Sequence, residues 1–316
     1  MSRLGVGLAA IARPGYITLG RVRDLPGSRS PDELYGRVSE VLDAAHRAGV
    51  RYVDVARSYG RAEEFLARWL AERAVPREAL TVGSKWGYRY TAGWQVDAPV
   101  HEEKELSLAR FTSQLAESRR LLGAWLDLYQ IHSATAESGC LADTALLAAL
   151  VDGRRRGDYR AIGLTLSGAT SARTLELARA PHVDGEPVFD VVQATFNVLE
   201  PSLGGPLREA HDAGMGVIAK EVFANGRLTD ANTRPEDAAM LARVRAIVPG
   251  VPLDQVAVAF VLAHPFVDVA LSGAVTVAQL RSHVAGANVT VDPAGLASFA
   301  ERPERYWSTR AALPWT

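Results

Sequence analysis

Short apolar runs and longer amphipathic stretches alternate along most of this chain. The runs at about 4–8, 51–55, 80–84, 126–131, 160–165, 188–193, 215–219 and 267–271 have the length and branched-residue content of strands. Between and after them, apolar residues recur at helical spacing over 31–48, 61–73, 105–122, 142–155, 170–179, 202–213, 235–247, 253–263 and 276–287. The punctuation agrees. Gly49, Gly123 and Gly214 stop the helices before them, and Ser30 with Pro31, Ser167 and Thr276 stand where helix starts belong. Strand–helix alternation calls for a parallel sheet with crossover helices. Eight such units without a clear linker predict a closed (β/α)8 TIM barrel, one domain over residues 1–316. Long loops are expected at 9–30 and 85–104, at the strand ends where barrel pockets are built. Residues 290–316 show little periodicity and are expected to drape over one end. No repeat is visible beyond the strand–helix alternation itself.

Composition narrows the class. The chain is 48% hydrophobic and 22% charged, enough for a substantial core. A formal net charge of −1 gives no drive toward nucleic acid or an anionic membrane. No apolar stretch is long enough to span a bilayer, and the amino terminus lacks a secretory apolar segment, so a cytoplasmic protein is expected. A lone cysteine, Cys140, excludes an internal disulfide and a cysteine-based zinc site. No histidine pair has ligand spacing, so no metal site is expected. The sequence does not set an oligomeric state. One bias matters for the chemistry: there are three lysines, Lys85, Lys104 and Lys220, against 32 arginines. Lysine is the compact charge whose pKa a protein can tune.

Four polar residues stand at or just beyond the ends of predicted strands. Asp54 and Tyr59 follow the second, Lys85 the third and His132 the fourth. A barrel would bring them to one mouth. A phenol donates its proton poorly at neutral pH, and a nearby ammonium lowers its pKa. Lys85 is placed to do this, with Asp54 pairing with it across neighbouring strands. A neutral His132 could donate to a carbonyl oxygen. Taken singly, Asp54 reads more readily as an anion at a helix start, Tyr59 as a rim aromatic, Lys85 as a surface charge and His132 as a core polar group; together they suggest a tyrosine acid, a lysine–aspartate pair and an orienting histidine.

This set and its surroundings resemble the aldo-keto reductase family. The residues that carry the likeness are Arg51–Gly60 (RYVDVARSYG), Gly83–Trp86 (GSKW), Asp127–His132 (DLYQIH), Ile162–Ser167 (IGLTLS), and Val192 and Gln193 with Asn197. The likeness runs from about residue 4 to 288. It implies a (β/α)8 barrel that reduces aldehydes and ketones, or oxidises alcohols, with a small carbonyl or alcohol as substrate. NADP(H) is the cofactor it favours, with NAD(H) as the other candidate. It implies Tyr59 as proton donor, tuned by Lys85 and Asp54, with His132 fixing the carbonyl oxygen. For the cofactor it implies Ser167 and Gln193 on the carboxamide. Asn225, Gly226 and Arg227 would cover the pyrophosphate, and Gly273, Thr276 and Gln279 would lie by the adenosine phosphate at a helix start.

Three positions depart from the family pattern. Gly168 stands where an asparagine often follows the serine. Lys220 and Glu221 replace an aromatic residue that commonly stacks on nicotinamide, which frees Lys220 to meet a phosphate. Gly273, Ala274 and Gln279 replace the usual lysine, serine and arginine around a 2′-phosphate, leaving Arg227 as the compensating cation. The aromatics Tyr16, Trp86, Tyr88, Tyr90, Trp94, Phe196, Trp307 and Trp315 are expected to furnish an apolar pocket or a sugar-stacking surface. Gly5–Ala10 fits a G-x-G-x-x-A dinucleotide pattern, yet almost no strand precedes it and Pro14–Gly15 breaks any following helix, so a Rossmann site is rejected. A different class of reading remains: a barrel that senses the cofactor as a regulatory subunit, with little turnover.

Overall fold

The computed structural model describes residues 2–316. Eight parallel strands close into a barrel in sequential order. They are β1 (Leu4–Gly7), β2 (Tyr52–Asp54), β3 (Thr81–Trp86), β4 (Leu128–Ala134), β5 (Ala161–Leu166), β6 (Val191–Thr195), β7 (Gly216–Lys220) and β8 (Val269–Ser272). Closure is made by Leu4–Val6 of β1 against Ala270–Ser272 of β8. The strands are short because each needs to be apolar only where helices cover the barrel. Leu4, Val6, Val53, Val82, Tyr129, Ile131, Ile162, Leu164, Val192, Val217 and Ala270 point outward into one continuous core shared with those helices. The barrel interior is filled by a separate small layer of Tyr52, Leu128, Ile218 and Leu271.

The helices form as their periodicity dictates. The helix Pro31–Arg47 buries Leu34, Val38, Val41, Leu42 and Ala45 as one stripe. It starts in a capping box of Ser30 and Glu33, with Pro31 in its first turn. Thr276 likewise caps Val277–Gly286 through the Gln279 amide. Ser167 is not a cap: Thr170 holds that place before Ser171–Ala178, without a side-chain hydrogen bond.

Three expectations are corrected. β3 and β4 run on through Lys85 and His132, which therefore lie within strands rather than beyond them. The loop after β3 holds an antiparallel hairpin, Tyr88–Tyr90 with Glu102–Lys104. The tail is partly helical at Pro293–Leu296 and Pro303–Ala311. Its last residues pair with the loop after β1 through an Ile17–Trp315 bridge. Among the described residues, no helix is long and apolar enough to cross a membrane.

Candidate active site

The barrel mouth opens into a cleft of about 540 Å3. Asp54, the last residue of β2, is buried beneath it and gathers four donors. Lys85 Nζ forms an ion pair with its Oδ1. The Tyr52 hydroxyl (3.1 Å), Gln193 Nε2 (2.9 Å) and Gln130 Nε2 (3.4 Å) all donate to its Oδ2. Gly83 makes this possible, since a Cβ there would lie 2.2 Å from the Tyr52 hydroxyl. Lys85 is wholly buried and also donates to the Val55 carbonyl at 3.0 Å.

Tyr59 sits in the turn after β2, where Gly60 has φ +59° and a Cβ would strike the Ala12 carbonyl at 2.6 Å. The Tyr59 hydroxyl lies 3.4 Å from His132 Nε2, the rings edge to face. The Lys85 ammonium is 4.9 Å from the Tyr59 ring centre. All four predicted residues are thus brought together.

The electrostatics differ from expectation. Burial holds the Tyr59 phenol well above its usual pKa, and Asp54 pushes the same way. The cation that opposes them is Arg13, 5.2 Å from the ring, not Lys85. Lys85 is itself engaged by Asp54 in a buried ion pair. Its own pKa is lowered by burial, with Asp54 opposing. His132 is held well below the ordinary histidine value by burial, then by Lys85, Lys220, Arg13 and Lys104. It is a neutral imidazole at physiological pH. Its Nδ1 is buried with no partner among the described residues.

From this end the cleft runs past Ser167 and Gln193 to Asn225, Gly226, Gly273 and Gln279, all of which line it. Asn225 takes a left-handed backbone (φ 55°), and its Nδ2 donates to the Ile17 carbonyl at 2.8 Å. Its buried Oδ1 has no partner among the described residues. Gln279 Nε2 donates to Asp24 at 2.7 Å, joining the helix Val277–Gly286 to the segment after β1. Two sequence assignments are corrected here. Arg227 is tied in ion pairs to Asp237 and Glu301, and its guanidinium is spent there. The Thr276 hydroxyl is spent as a helix cap. Lys220 lines the cleft and donates to Thr195 Oγ1 at 3.0 Å.

Sequence reasoning missed Arg13, Glu102 and Arg310, and named Glu221 only as a departure from the family pattern. Arg13 pairs with Glu102 of the hairpin and packs among the rings of Tyr16, Tyr59 and Trp315. Glu221 accepts from Arg310 of the terminal helix at 2.6 Å and from Thr195 at 3.0 Å. These four residues sit in loops, at a strand's end and on the tail, where charge ordinarily means a solvated surface; only the aromatic-rich loops hinted at a pocket. Of the expected aromatics, Tyr16, Tyr88 and Trp315 line the cleft. Trp86 packs instead on Phe111, and Phe196 among Phe260, His264 and Phe266. Among the described residues no group of three or more His, Cys, Asp or Glu could hold a metal.

Comparison with known proteins places this geometry. The model of the aldo/keto reductase family matches residues 27–301. D-threo-aldose 1-dehydrogenase from Pseudomonas sp is 28% identical over 92% of this chain and 94% of its own. Aldo-keto reductase str7 from Strobilurus tenacellus is 26% identical over 73% of this chain, a match that spans 64% of that protein. NADH-specific methylglyoxal reductase from Escherichia coli (strain K12) is 25% identical over 84% of this chain and 87% of its own. Among solved structures, aldo-keto reductase AKR11C1 from Bacillus halodurans superposes with a TM-score of 0.71, covering 95% of this chain and 93% of that one, at 19% identity, a likeness of fold. With the family model matched over most of its length, this chain belongs to the aldo/keto reductase family.

Proposed function

We propose that this oxidoreductase interconverts a small aldehyde or ketone and its alcohol with a nicotinamide cofactor, and that Tyr59 is the proton donor in reduction. The observation that carries this reading is the Tyr59 hydroxyl and the neutral His132 Nε2, 3.4 Å apart in the cleft above a buried lysine–aspartate pair. A carbonyl oxygen placed between them accepts from both. Reduced nicotinamide, when bound, supplies the hydride. The residues do the rest. His132 stays neutral and orients the carbonyl by hydrogen bonding. Tyr59 stays protonated until negative charge develops on the substrate oxygen, then gives its proton to that stronger base. The Lys85 ammonium and the Arg13 guanidinium, 4.9 and 5.2 Å from the ring centre, stabilise the phenolate left behind.

The cleft fits a dinucleotide. Asn225, which lines it, has a buried Oδ1 with no partner among the described residues, and Gly273 has open space where a Cβ would point. Ser167 and Gln193 would hold the nicotinamide end, Asn225 and Gly226 the pyrophosphate, and Gly273 and Gln279 the adenosine end. With Arg227 committed elsewhere and Gln279 bonded to the Asp24 carboxylate, a 2′-phosphate at that end meets an acid. Asp24 also pairs with Arg23, whose side chain is 66% exposed. We therefore assign NAD(H) in preference to NADP(H), a shift from the sequence expectation; one relative is itself named NADH-specific. Fluorescence titration should give a Kd for NADH at least tenfold below that for NADPH, and Asp24→Ser should narrow the gap.

The reaction is tested with NADH and a panel of small aldehydes and ketones. Tyr59→Phe should retain cofactor binding and lower kcat by roughly 10²–10⁴-fold. Cofactor binding without turnover, indifferent to Tyr59→Phe, would favour the sensing role instead.

A further inference from the structure

Among the described residues that line the cleft beside the catalytic pair, Lys220 is the one cation without a carboxylate partner. The other cations there are committed: Lys85 to Asp54, Arg13 to Glu102 and Arg310 to Glu221. Lys220 Nζ donates only to a hydroxyl, Thr195 Oγ1, which in turn donates to Glu221 at 3.0 Å. Among the described residues, no carboxylate oxygen lies within 4 Å of Nζ. Its ammonium stands 5.9 Å from the Trp307 ring centre, half-buried at the end of β7, and faces the same cleft as Tyr59 and His132. With three neutral pairs and one unmatched ammonium, this end of the cleft carries an excess of one positive charge. A buried charge without a counter-charge is costly unless something supplies one. In a chain where 32 of 35 cations are arginine, the residue here is lysine.

We propose that Lys220 forms an anion subsite beside the catalytic pair, and that the preferred substrates are 2-oxo acids, whose carboxylate it binds while the neighbouring carbonyl reaches Tyr59 and His132. This rests on the carbonyl-reduction reading above, which it narrows to a substrate class. The carboxylate takes no part in the chemistry. Lys220 holds it, from a position on the same cleft as His132, whose pKa burial and then Lys85, Lys220, Arg13 and Lys104 hold down. The rings of Tyr16, Tyr88 and Trp315 and the Arg13–Glu102 pair bound the space left for the substrate's other substituent.

The test separates this from both the reaction and the cofactor. Lys220→Met keeps the length of the side chain and removes its charge; Lys220→Arg keeps the charge. Steady-state kinetics compare glyoxylate and pyruvate with the neutral methylglyoxal. Oxamate, a carboxylate that mimics a 2-oxo acid and is not reduced, is titrated calorimetrically into the protein with NADH present. The expected result is that Lys220→Met raises KM for the acids at least tenfold, leaves KM for methylglyoxal and the NADH Kd within twofold, and abolishes oxamate binding. Lys220→Arg retains part of each. Two results overturn the proposal: wild-type protein that does not bind oxamate, or Lys220→Met weakening NADH as much as the acids, which would make Lys220 a cofactor residue. Oxamate binding that depends on Lys220, in a protein that reduces no carbonyl, would leave the subsite standing and defeat the reductase reading alone.

Discussion

Asp54 carries more of the site than any other side chain. It accepts from one ammonium, one phenol and two amides, all buried. Lys85→Met leaves that carboxylate with neutral donors only, and removing one partner of a buried pair costs about 3–5 kcal/mol. Urea denaturation should show that loss, and should show part of it recovered in Lys85→Met/Asp54→Asn; a double variant no more stable than the single would contradict this view of the pair. Acidity adds a second expectation. Glu221 is held down to about 2, with Arg310 and then Lys220 overcoming the burial that opposes them. A depressed carboxylate stabilises the fold above its unfolded pKa, near 4.5, and that contribution is lost as pH falls toward 2. The span corresponds to at most on the order of 3 kcal/mol. In Glu221→Gln the acid limb of the stability profile should flatten. Alkaline pH acts on Lys220, lowered to about 8 by burial and by the neighbouring Arg310 and Lys85, with Glu221 and Asp54 opposing. Affinity for anionic substrates should fall as pH rises through 8. Neutral substrates should show no such limb, because Tyr59 titrates well above and His132 well below that range.

The strands and helices show why some of the fold was readable and some was not. The alternation of apolar runs sufficed for eight strands and their order, because each strand's outward face must meet a helix. It shortened β3 and β4, since Lys85 and His132 are polar residues inside strands that turn toward the mouth. It missed the helix Pro303–Ala311, which buries only Tyr306 and so leaves no periodic stripe. It also missed a repeat at the opposite end of the barrel. Asp127, Asp190 and Asp268 immediately precede or stand just before β4, β6 and β8. Each accepts from an amide at the start of the preceding strand: Val82 at 2.9 Å, Ile162 at 2.8 Å and Val217 at 2.7 Å. A period of two βα units is too long, and its element too small, to stand out by eye. These aspartates lie away from the cleft, where barrel residues serve stability. Asp190→Ala should therefore lower unfolding stability by about 1–3 kcal/mol with kcat/KM unchanged. A large loss of activity in folded protein would show that this end is coupled to the mouth.

Taken as a molecule, the protein is a barrel whose open mouth is bridged by distant segments. The loop after β1 reaches the β7 loop through Leu19 N and the Asn225 carbonyl at 3.0 Å, and the helix Val277–Gly286 through Asp24 and Gln279. The tail fastens to the same loop through Tyr16 and Thr316. The four residues from β2, its following turn, β3 and β4 were visible in sequence because each follows an apolar run. The surroundings that would choose a cofactor and a substrate were not, because Arg13, Asp24, Glu102 and Arg310 come from segments far apart in the chain. A ligand lying under these bridges should stabilise the whole fold, by about 2.7 kcal/mol at a hundredfold excess over its Kd. NADH should accordingly raise the melting temperature more than NADPH at equal concentration.

In the proposed reaction this cleft delivers hydride to a carbonyl carbon while Tyr59 protonates the oxygen. The most direct measurement uses NADH deuterated at nicotinamide C4 on each face in turn, with pyruvate or methylglyoxal, and mass spectrometry of the alcohol. One carbon-bound deuterium is expected from one face only in wild-type protein, with its near disappearance in Tyr59→Phe that still binds NADH. Product without deuterium from either face, or equal labelling by Tyr59→Phe at the wild-type rate, would contradict it.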